Sequence, residues 1–531
     1  MKKFKNYFIN LICPAFVFGS ITGILTAVVV TFYKVGATHI VRFSGKGYTF
    51  FREHLYYVPL ILGVLLALAF LYAFLYKKVP NLRGGGIPNS IGILRGIITF
   101  KWLRNLLGTF FLSMITFLIG VPLGTEGPSV QMGTAIGRGS VSAFTKKHKA
   151  WDRYSMTGGA CAGFSCATGA PISGIMFAIE EAHQRISPMI VIVSCVSVMF
   201  SRMTTELLSP LFHVSIDLFP NMSLVHLSLK DIWMPIVVGI AVGAFAVFFL
   251  YLYRLINGLL NKKLKNVPLQ YKIFAIFAIT LILGLVSFSF VSTGHGLITD
   301  IVDGKIAVYM LLLILLVRSI LTLSANSASI TGGIFLPILA LGALISSIIA
   351  KSAQAIFGFE KEYYTIMLIL GIVACISSMM KTPLTAIFFA VEALSCYENI
   401  LYVVVVSCIA FVITEIFDLK SINDSVLDRR VEEQNEGESV KVIDTFVIVQ
   451  KGAFAIGKQI RDIFWPANLF VLSVKHDETK AAILDEHGGN AIREGDKLHV
   501  RFSTYDEKST TEELLAIVGE QKINSTEADV I

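Results

Sequence analysis

The sequence predicts an all-α polytopic membrane protein with two repeated halves and broken helices, followed by a small α+β domain. Of its 531 residues, 54% are hydrophobic and only 15% are charged, with a mean hydropathy of +0.70. Soluble domains carry about 25% charged residues, so this composition excludes that class. Two further observations are the interruption of several apolar stretches by glycine and proline, and the return of charge after about residue 431.

The net charge of +8 is typical of membrane proteins, whose cytoplasmic loops retain Lys and Arg. So apolar a chain is not expected to bind nucleic acid; its predicted environment is a lipid bilayer. The seven cysteines lie in apolar segments without metal-ligand spacing, so we expect packing roles and predict no metal or cofactor. The apolar run over 8–33 is too long for a signal-peptide core, and the lysines before it predict a cytoplasmic N-terminus.

Further apolar runs predict helices within the membrane. They cover 58–76, 106–123, 189–199, 234–253, 273–291, 306–323, 365–377 and 400–417. Shorter runs near Gly133, Pro171, Gly333 and Pro383 are broken by Gly, Pro and small polar residues. Interrupted helices of this kind line cavities rather than face lipid.

A weak internal repeat relates two parts of the chain. Pro171 and Glu180 stand nine residues apart, as do Pro383 and Glu392, and the residues that follow the two prolines are similar. At nearly the same offset, 124–128 corresponds to 333–337, and the proline of each is followed five residues later by a glycine. Paired interrupted helices in two halves predict a transporter with its site at the repeat interface.

The segment Gly124-Thr125-Glu126-Gly127-Pro128 places one carboxylate between two glycines in an apolar region. Proline favours the first turn of a helix, so the segment reads as a loop that leads into a helix with free backbone N–H groups at its start. Such a start attracts anions, and glycine allows close approach of a ligand to the backbone. Glu126 is therefore predicted to lie where an anion binds.

Three glycine–proline signatures occur in order, at 84–88 (Gly-Gly-Gly-Ile-Pro), 124–128 and 333–337 (Gly-Ile-Phe-Leu-Pro). With these signatures and the segment 171–181, residues from about 8 to 430 resemble the CLC family of chloride channels and chloride/proton exchangers. The resemblance implies two inverted-topology repeats, a homodimer in the plasma membrane with both termini cytoplasmic, and chloride and protons as the transported ions. It implies a transporter and not an enzyme.

The resemblance also assigns site residues. Ile334 and Phe335 would supply backbone amides to a central anion, and Glu126 would be the gating glutamate that competes with the anion. The neighbouring anion-binding positions are Gly85, Thr125, Gly127 and Leu336. For Ile334 and Phe335 the alternative is core packing, for the first signature it is an ordinary turn, and for Glu126 it is a helix cap. Capping and gating are compatible, because protonation can release a capping carboxylate.

A pair of acids, Glu180 and Glu181, follows an apolar helix near its predicted cytoplasmic end. Acids within membrane segments are functional candidates, since a charge at mid-membrane costs at least about 2.5 kcal/mol. By resemblance, Glu181 matches the inner proton-transfer glutamate of the exchangers, and Glu180 a neighbouring structural acid. The alternative is that both acids only pair with Arg185 or loop lysines. Glu392, which corresponds to Glu180 in the repeat, is interpreted as structural.

Two positions depart from the family pattern. Gly85 stands where many members have a serine, and Asn423 stands where the family usually has an anion-coordinating tyrosine. The Asn423 amide can still donate a hydrogen bond, although it could also be a turn residue. Without the serine and tyrosine hydroxyls, the resemblance does not decide whether proton and anion movements are strictly coupled or which anion is carried. The alternative interpretation is a passive chloride channel or an exchanger for fluoride or nitrate.

The predicted boundaries are a membrane domain over 1–430, a linker over 431–439, an α+β domain over 440–520 and a disordered tail over 521–531. Strands are expected at 440–449, 469–474 and 497–502, and helices at 456–464 and 512–518. Segments 452–458, 488–489 and 492–498 resemble the TrkA-C (RCK C-terminal) regulatory domain of bacterial potassium transporters. That resemblance implies pairing or binding of a small ligand such as a cyclic dinucleotide. A potassium-transport subunit is a second hypothesis, although the Thr-Val-Gly-Tyr-Gly filter is absent.

Overall fold

The fold consists of a large helical membrane domain and a small C-terminal domain. The computed structural model describes residues 12–142, 150–212, 215, 218–219, 225–304, 306–358, 363–435, 440–475, 491–521 and 526–527. The N-terminal lysines, the segment 436–439 of the predicted linker, the motif at 488–489 and most of the predicted tail lie outside these residues.

The membrane domain contains seventeen α-helices within the described ranges. They are α1 (Cys13–Glu53), α2 (Val58–Lys78), α3 (Gly86–Leu94), α4 (Trp102–Ile119), α5 (Glu126–Ser142), α6 (Asp152–Thr168), α7 (Pro171–Phe177), α8 (Pro188–Phe212), α9 (Trp233–Gly258), α10 (Leu269–Val286), α11 (His295–Val302), α12 (Val308–Ser327), α13 (Phe335–Phe357), α14 (Tyr364–Met379), α15 (Pro383–Ala393), α16 (Ile400–Ile416) and α17 (Ile422–Gln434). Eight helices in the described residues are long and apolar enough to cross a membrane.

The predicted interruptions at Pro171, Gly333 and Pro383 coincide with helix starts, whereas Gly133 lies inside the unbroken helix α5. Helices α3, α5 and α13 begin within the three glycine–proline signatures, and Pro171 and Pro383 begin α7 and α15. Proline is tolerated in a first turn because the N–H it lacks has no partner there in any case. Helices α7 and α15 have only 7 and 11 residues, too few to cross a hydrocarbon layer of about 30 Å.

The internal repeat appears as matching helix crossings. A Cβ on Gly133 of α5 would lie 2.0 Å from the carbonyl oxygen of Gly159 in α6, and a Cβ on Gly159 would lie equally close to the Gly133 oxygen. Gly342 of α13 and Gly371 of α14 meet in the same way, at 2.4 and 2.5 Å. Each half thus packs one pair of helices, α5 with α6 or α13 with α14, backbone against backbone through one glycine from each helix.

Equivalent helices of the two halves run in opposite directions. Glu180, just beyond the end of α7, binds the first turn of α15, while Glu392, near the end of α15, binds the first turn of α7. Each helix therefore starts beside the end of its counterpart. This antiparallel arrangement is that of an inverted repeat, as the family resemblance implied.

The C-terminal domain is a small α+β unit, as predicted. It contains strands β1 (Lys441–Ile448), β2 (Leu469–Lys475), β3 (Lys497–Thr504) and β4 (Thr526–Glu527) and helix α18 (Glu507–Val518). The strands are ordered β2-β3-β1-β4, with antiparallel neighbours. Alternate apolar side chains of β1 and β3 pack with Leu514 and Val518 of α18 in the domain core.

Three local expectations differ from the structure. Segment 456–464 is not a helix: only Ile460–Asp462 form a single 3₁₀ turn, since Gly457 has a φ of +80° and Pro466 follows closely. Helix α17 continues to Gln434, within the predicted linker. In the predicted tail, Thr526 and Glu527 pair with β1.

We expect Gly159→Ala to destabilise the membrane domain by about 1–3 kcal/mol, because the new methyl group must displace the Gly133 backbone. The check is the thermal unfolding midpoint of the purified protein in detergent. Gly63→Ala in α2 is the matched control, since a Cβ there meets nothing within 4 Å. An equal midpoint for both variants would contradict the proposed crossing.

Candidate functional site

The three glycine–proline signatures converge on one place. Gly124 and Gly333 exchange two backbone hydrogen bonds, of 2.6 and 2.8 Å, as an isolated antiparallel bridge. A Cβ on Gly86 would lie 1.8 Å from the Gly127 oxygen, and one on Gly85 would lie 2.8 Å from the Gly332 oxygen. The starts of α3, α5 and α13 are thereby gathered, and a larger residue at these contacts would separate them.

Glu126 lies at this convergence, as the first residue of α5 with 0% of its surface exposed. The Thr125 hydroxyl donates to its Oε1 over 3.2 Å, and the backbone N–H of Leu336 in α13 is close to the carboxyl group. Its Oε2 has no hydrogen-bond partner among the described residues. A buried carboxylate with one unpaired oxygen is costly, so this position is one that the side chain can leave.

Lys34 is a charged group near Glu126 that the sequence analysis did not single out. It lies in α1, donates to the Cys166 carbonyl over 3.1 Å, and interacts electrostatically with Glu126. The signal in the sequence was a lysine next to Tyr33, where the first apolar run was taken to end. Helix α1 instead continues to Glu53, which places this cation inside a helix of the membrane domain.

Phe335 has the packing role that was one of its two predicted roles, and its role in anion binding stays a prediction. Ile334 caps α13 and Phe335 is its first residue, so both backbone amides are at a helix start. The Phe335 ring is fully buried between the rings of Phe164 and Phe389, with centroids 5.2 and 5.5 Å away. The side chain packs in the core while the backbone amide lies at a helix start, so core packing does not exclude the predicted anion contact.

Glu181 and Asn423 form a second, inner group. Glu181 is 4% exposed in a wide π turn, Ala178–Ala182, which follows α7. The side-chain amide of Asn423, in the first turn of α17, donates to Glu181 Oε1. The structure therefore brings Asn423 to the predicted proton site rather than leaving it as an isolated turn residue. Its role in anion binding stays a prediction.

Arg95 and Asp424 support this inner group and were missed by the sequence analysis. The Arg95 guanidinium donates to the backbone oxygens of Glu181 and Ala182 over 2.9 and 3.0 Å, and it pairs with Asp424 at 3.0 Å. Asp424 directly follows Asn423 in α17. A contact between residues so far apart along the chain has no signature in a single sequence.

Glu180 and Glu392 have the structural role that was expected of them, through an interaction that the sequence did not reveal. Glu180 accepts from the backbone N–H groups of Leu384 and Thr385 at 2.9 and 2.8 Å. Glu392 accepts from those of Ile172 and Ser173 at 2.8 and 2.9 Å. Each acid thus caps the helix start of the opposite half, where a negative charge is favoured.

Charged groups of the C-terminal domain differ in their surroundings. Burial opposes ionisation of Asp444, but hydrogen bonds from Arg501 and His499 outweigh it and lower the Asp444 pKa. Burial lowers the pKa of Lys458 to about 8, while its ammonium group donates to the Phe454 carbonyl and lies 3.7 Å from the centre of that ring. Within the described residues, no group of three or more metal-ligating side chains occurs.

Known proteins resemble this chain in sequence and in fold. Residues 68–415, more than half of the chain, match the family described as voltage gated chloride channel. The chain belongs to this family. It is a family of ion channels and transporters, which is consistent with the prediction that the chain is not an enzyme. The match does not include the C-terminal domain, whose TrkA-C resemblance stays a prediction.

Curated relatives are similar over most of their length. The H(+)/Cl(-) exchange transporter ClcA of Klebsiella pneumoniae (strain 342) is 28% identical over 396 residues, which cover 73% of this chain and 83% of the relative. The protein of the same name from Vibrio cholerae (strain ATCC 39541) is 28% identical over 425 residues, which cover 78% and 89%.

Solved structures share the fold. The structure described as a slow cyanobacterial Cl-/H+ antiporter aligns with a TM-score of 0.70 and 24% identity, covering 80% of this chain and 99% of that one. The structure of a CLC-type fluoride/proton antiporter aligns with a TM-score of 0.62 and 21% identity, covering 76% and 96%. The predicted CLC fold is therefore confirmed.

We expect Glu392→Ala to cost about 1.5–3 kcal/mol of stability, because two backbone N–H groups of α7 lose a charged acceptor. Glu392→Gln keeps one acceptor oxygen and should lose less. Thermal unfolding in detergent measures both, with Glu398→Ala as the control because Glu398 is exposed. Equal midpoints for Glu392→Ala and the control would rule out the capping role.

Proposed function

We propose that this chain is a secondary active transporter that exchanges chloride for protons. The observation that carries the proposal is Glu126, a fully buried carboxylate where the starts of α5 and α13 meet. Helix starts favour anions through free N–H groups and the helix dipole, without a buried cation that would retain the ion. The ClcA relatives, which carry the name H(+)/Cl(-) exchange transporter, support the same reaction.

In the proposed mechanism the Glu126 carboxylate and chloride compete for one place. Chloride bound at the N–H groups of Ile334, Phe335 and Leu336 displaces the carboxylate, and protonation of Glu126 keeps it displaced. Gly85 and Gly127 allow close approach of the backbone to the anion, and Thr125 offers a hydroxyl donor, which here binds Glu126 Oε1. Since one binding place serves two charged species, entry of one ion is linked to movement of the other.

Glu181 is proposed as the inner proton station. It is buried, lies beyond the end of α7, and is on the side of the protein that the C-terminal domain contacts. Helix α5, of 17 residues, extends about 25 Å from Glu126 toward that side. A second carboxyl group at a distance from Glu126 gives protons a binding site that chloride does not use.

We also propose a homodimer in the plasma membrane. Short helices α7 and α15 expose Ile172 and Leu384 to the surroundings, and the carboxylates of Glu180 and Glu392 that cap them are only half-buried. Broken helices and charged caps at membrane depth need protein rather than lipid against them. A second copy would supply that cover.

The C-terminal domain is proposed to be cytoplasmic. It contacts the start of α6, and the connection between α5 and α6 carries Lys146, Lys147 and Lys149. Basic connections stay on the cytoplasmic side. The domain then shares a compartment with the inner end of the pathway.

A regulatory ligand of this domain stays a proposal. The cleft of about 280 Å³ between α18 and the membrane domain is lined by two arginines and four acids, Arg138, Arg153, Asp152, Asp506, Glu512 and Glu513. That balance disfavours an anionic cyclic dinucleotide in this cleft, so such a ligand would have to bind elsewhere on residues 440–520. Calorimetry with a panel of cyclic dinucleotides tests it, and absence of heat would count against it.

The deciding experiment is paired chloride and proton flux from purified protein in liposomes. A chloride gradient alone should drive protons uphill. Chloride flux without proton movement would indicate a channel and would refute exchange, and replacing chloride by fluoride or nitrate tests the choice of anion.

We predict that Glu126→Gln abolishes proton coupling, because a neutral side chain cannot carry a proton or compete as an anion. Chloride flux should persist. Glu398→Gln is the control for a charge change at an exposed site. Coupled exchange at the normal ratio in Glu126→Gln would remove Glu126 from the mechanism.

For Glu181→Gln we expect proton flux to fall below detection while much of the chloride flux remains. The amide preserves size and can still bind Asn423, so the fold should be kept. Measurement of both fluxes in the same vesicles separates the two effects. Loss of both fluxes together would mean that Glu181 serves the fold and not the proton.

A further inference from the structure

Phe464 belongs to the C-terminal domain by sequence, but its ring packs in the core of the membrane domain. It is 7% exposed and lies in one apolar cluster with Trp151 and Tyr154 of the α6 region. Its neighbour Ile463 points the other way, into the core of the C-terminal domain. The chain at 463–464 therefore joins two hydrophobic cores.

The Phe464 ring contacts the segment that directly follows the inner proton station. His183 stacks on it with ring centroids 4.5 Å apart and an interplanar angle of 30°. The Arg185 guanidinium lies 4.8 Å from the ring centroid, and Tyr154 packs at 4.4 Å. His183 is only two residues beyond Glu181, so the Phe464 ring contacts the chain directly after the π turn.

Hydrogen bonds hold the two sides of this contact together. Arg185 donates to the Ile463 carbonyl over 3.3 Å, and the Ser187 hydroxyl donates to the Asp462 carboxylate over 3.2 Å. The Tyr154 hydroxyl donates to the Asp462 carbonyl over 2.6 Å and accepts from the Phe464 N–H over 3.3 Å. Residues 462–464 are thus oriented by hydrogen bonds as well as by apolar contacts.

Arg153 provides a second connection between the C-terminal domain and Glu181. It donates to the Trp465 carbonyl and pairs with Glu513 of α18. Its guanidinium fills the space beside Gly96, where a Cβ would lie 1.9 Å from Nη2. The residue before Gly96 is Arg95, which binds the Glu181 carbonyl.

We propose that Phe464 is a positioning residue for Glu181, so that the C-terminal domain sets the geometry of the inner proton station. The inference rests on the proposed function, because it assigns the proton role to Glu181. The π turn leaves Glu181 at the end of a helix, and His183 beyond it is held by a 2.9 Å hydrogen bond to Thr157 and by its stack on Phe464. Without the ring, the chain beyond Glu181 loses its apolar anchor and the carboxyl group loses its fixed approach to Asn423.

The effect is directed at protons because the three helix starts at the predicted anion site have separate supports. The cluster around Phe464 contains none of the signature residues, and the starts of α3, α5 and α13 are held by their own glycine contacts. Loss of the ring therefore changes the inner carboxyl group and leaves the helix starts in place.

The test compares Phe464→Ala with Phe446→Ala in the full-length protein in liposomes, with chloride and proton fluxes recorded together. Phe446 is a phenylalanine of the same domain, 49% exposed on the outer face of β1, and serves as the matched control. For Phe464→Ala the proton-to-chloride ratio should fall about tenfold, short of the roughly hundredfold that a misplacement of about 1 Å can cost. The control should keep the wild-type ratio.

A Phe464→Ala protein with the wild-type ratio would overturn the inference, and so would an equal fall of both fluxes, since that indicates loss of fold alone. His183→Ala removes the other half of the stack while it keeps the C-terminal domain intact, and it should lower the ratio similarly. If Phe464→Ala does not fold, an unchanged ratio in His183→Ala overturns the inference. Failure of the proposed function itself is recognised separately, because the wild type would then move chloride without protons.

Discussion

The structure depends most on the close contact between helix backbones at the glycines around the predicted anion site. Gly124 and Gly333 form a two-residue sheet between the halves, and Gly86 touches Gly127 where no side chain could fit. Helix starts can meet at mid-membrane only if nothing larger separates them. In the proposed function, their free N–H groups would replace the hydration of an anion. The rest of the membrane domain holds these starts in place.

The two-fold repeat distinguishes structural acids from the proposed functional ones. Glu180 and Glu392 correspond in the two halves, and each caps a helix of the other half. At the repeat positions of Glu126 and Glu181, the other half has Phe335 and Ala393. The two acids that correspond in the repeat, Glu180 and Glu392, stabilise the fold. The two acids without an acidic counterpart, Glu126 and Glu181, lie at the two ends of the proposed proton route. The two halves therefore share one helix arrangement, while the proposed proton route uses acids of the first half alone.

The sequence predicted the features that depend on local chemistry. Glycine and proline mark the broken helices, and β-branched alternation marks the strands of the C-terminal domain, because both signals act within a few residues. Contacts between distant residues were not accessible: the hydrogen bond between Asn423 and Glu181, the support from Arg95 and the docking of Phe464 all join segments far apart in the chain. Segment 456–464 was wrongly expected to be helical, since its apolar spacing serves two different cores rather than one helix face.

The hydrogen bond from Asn423 to Glu181 joins two buried side chains through an amide, whose donor and acceptor are separate atoms. An amide offers a donor and an acceptor, and here the donor is taken by the carboxyl group while Oδ1 has no partner among the described residues. When Glu181 gains a proton, the same amide can rotate to present its oxygen to the new O–H. Under the proposed function, in which Glu181 takes up the proton and Asn423 faces the anion, the amide would present a different dipole to the anion in each protonation state of Glu181.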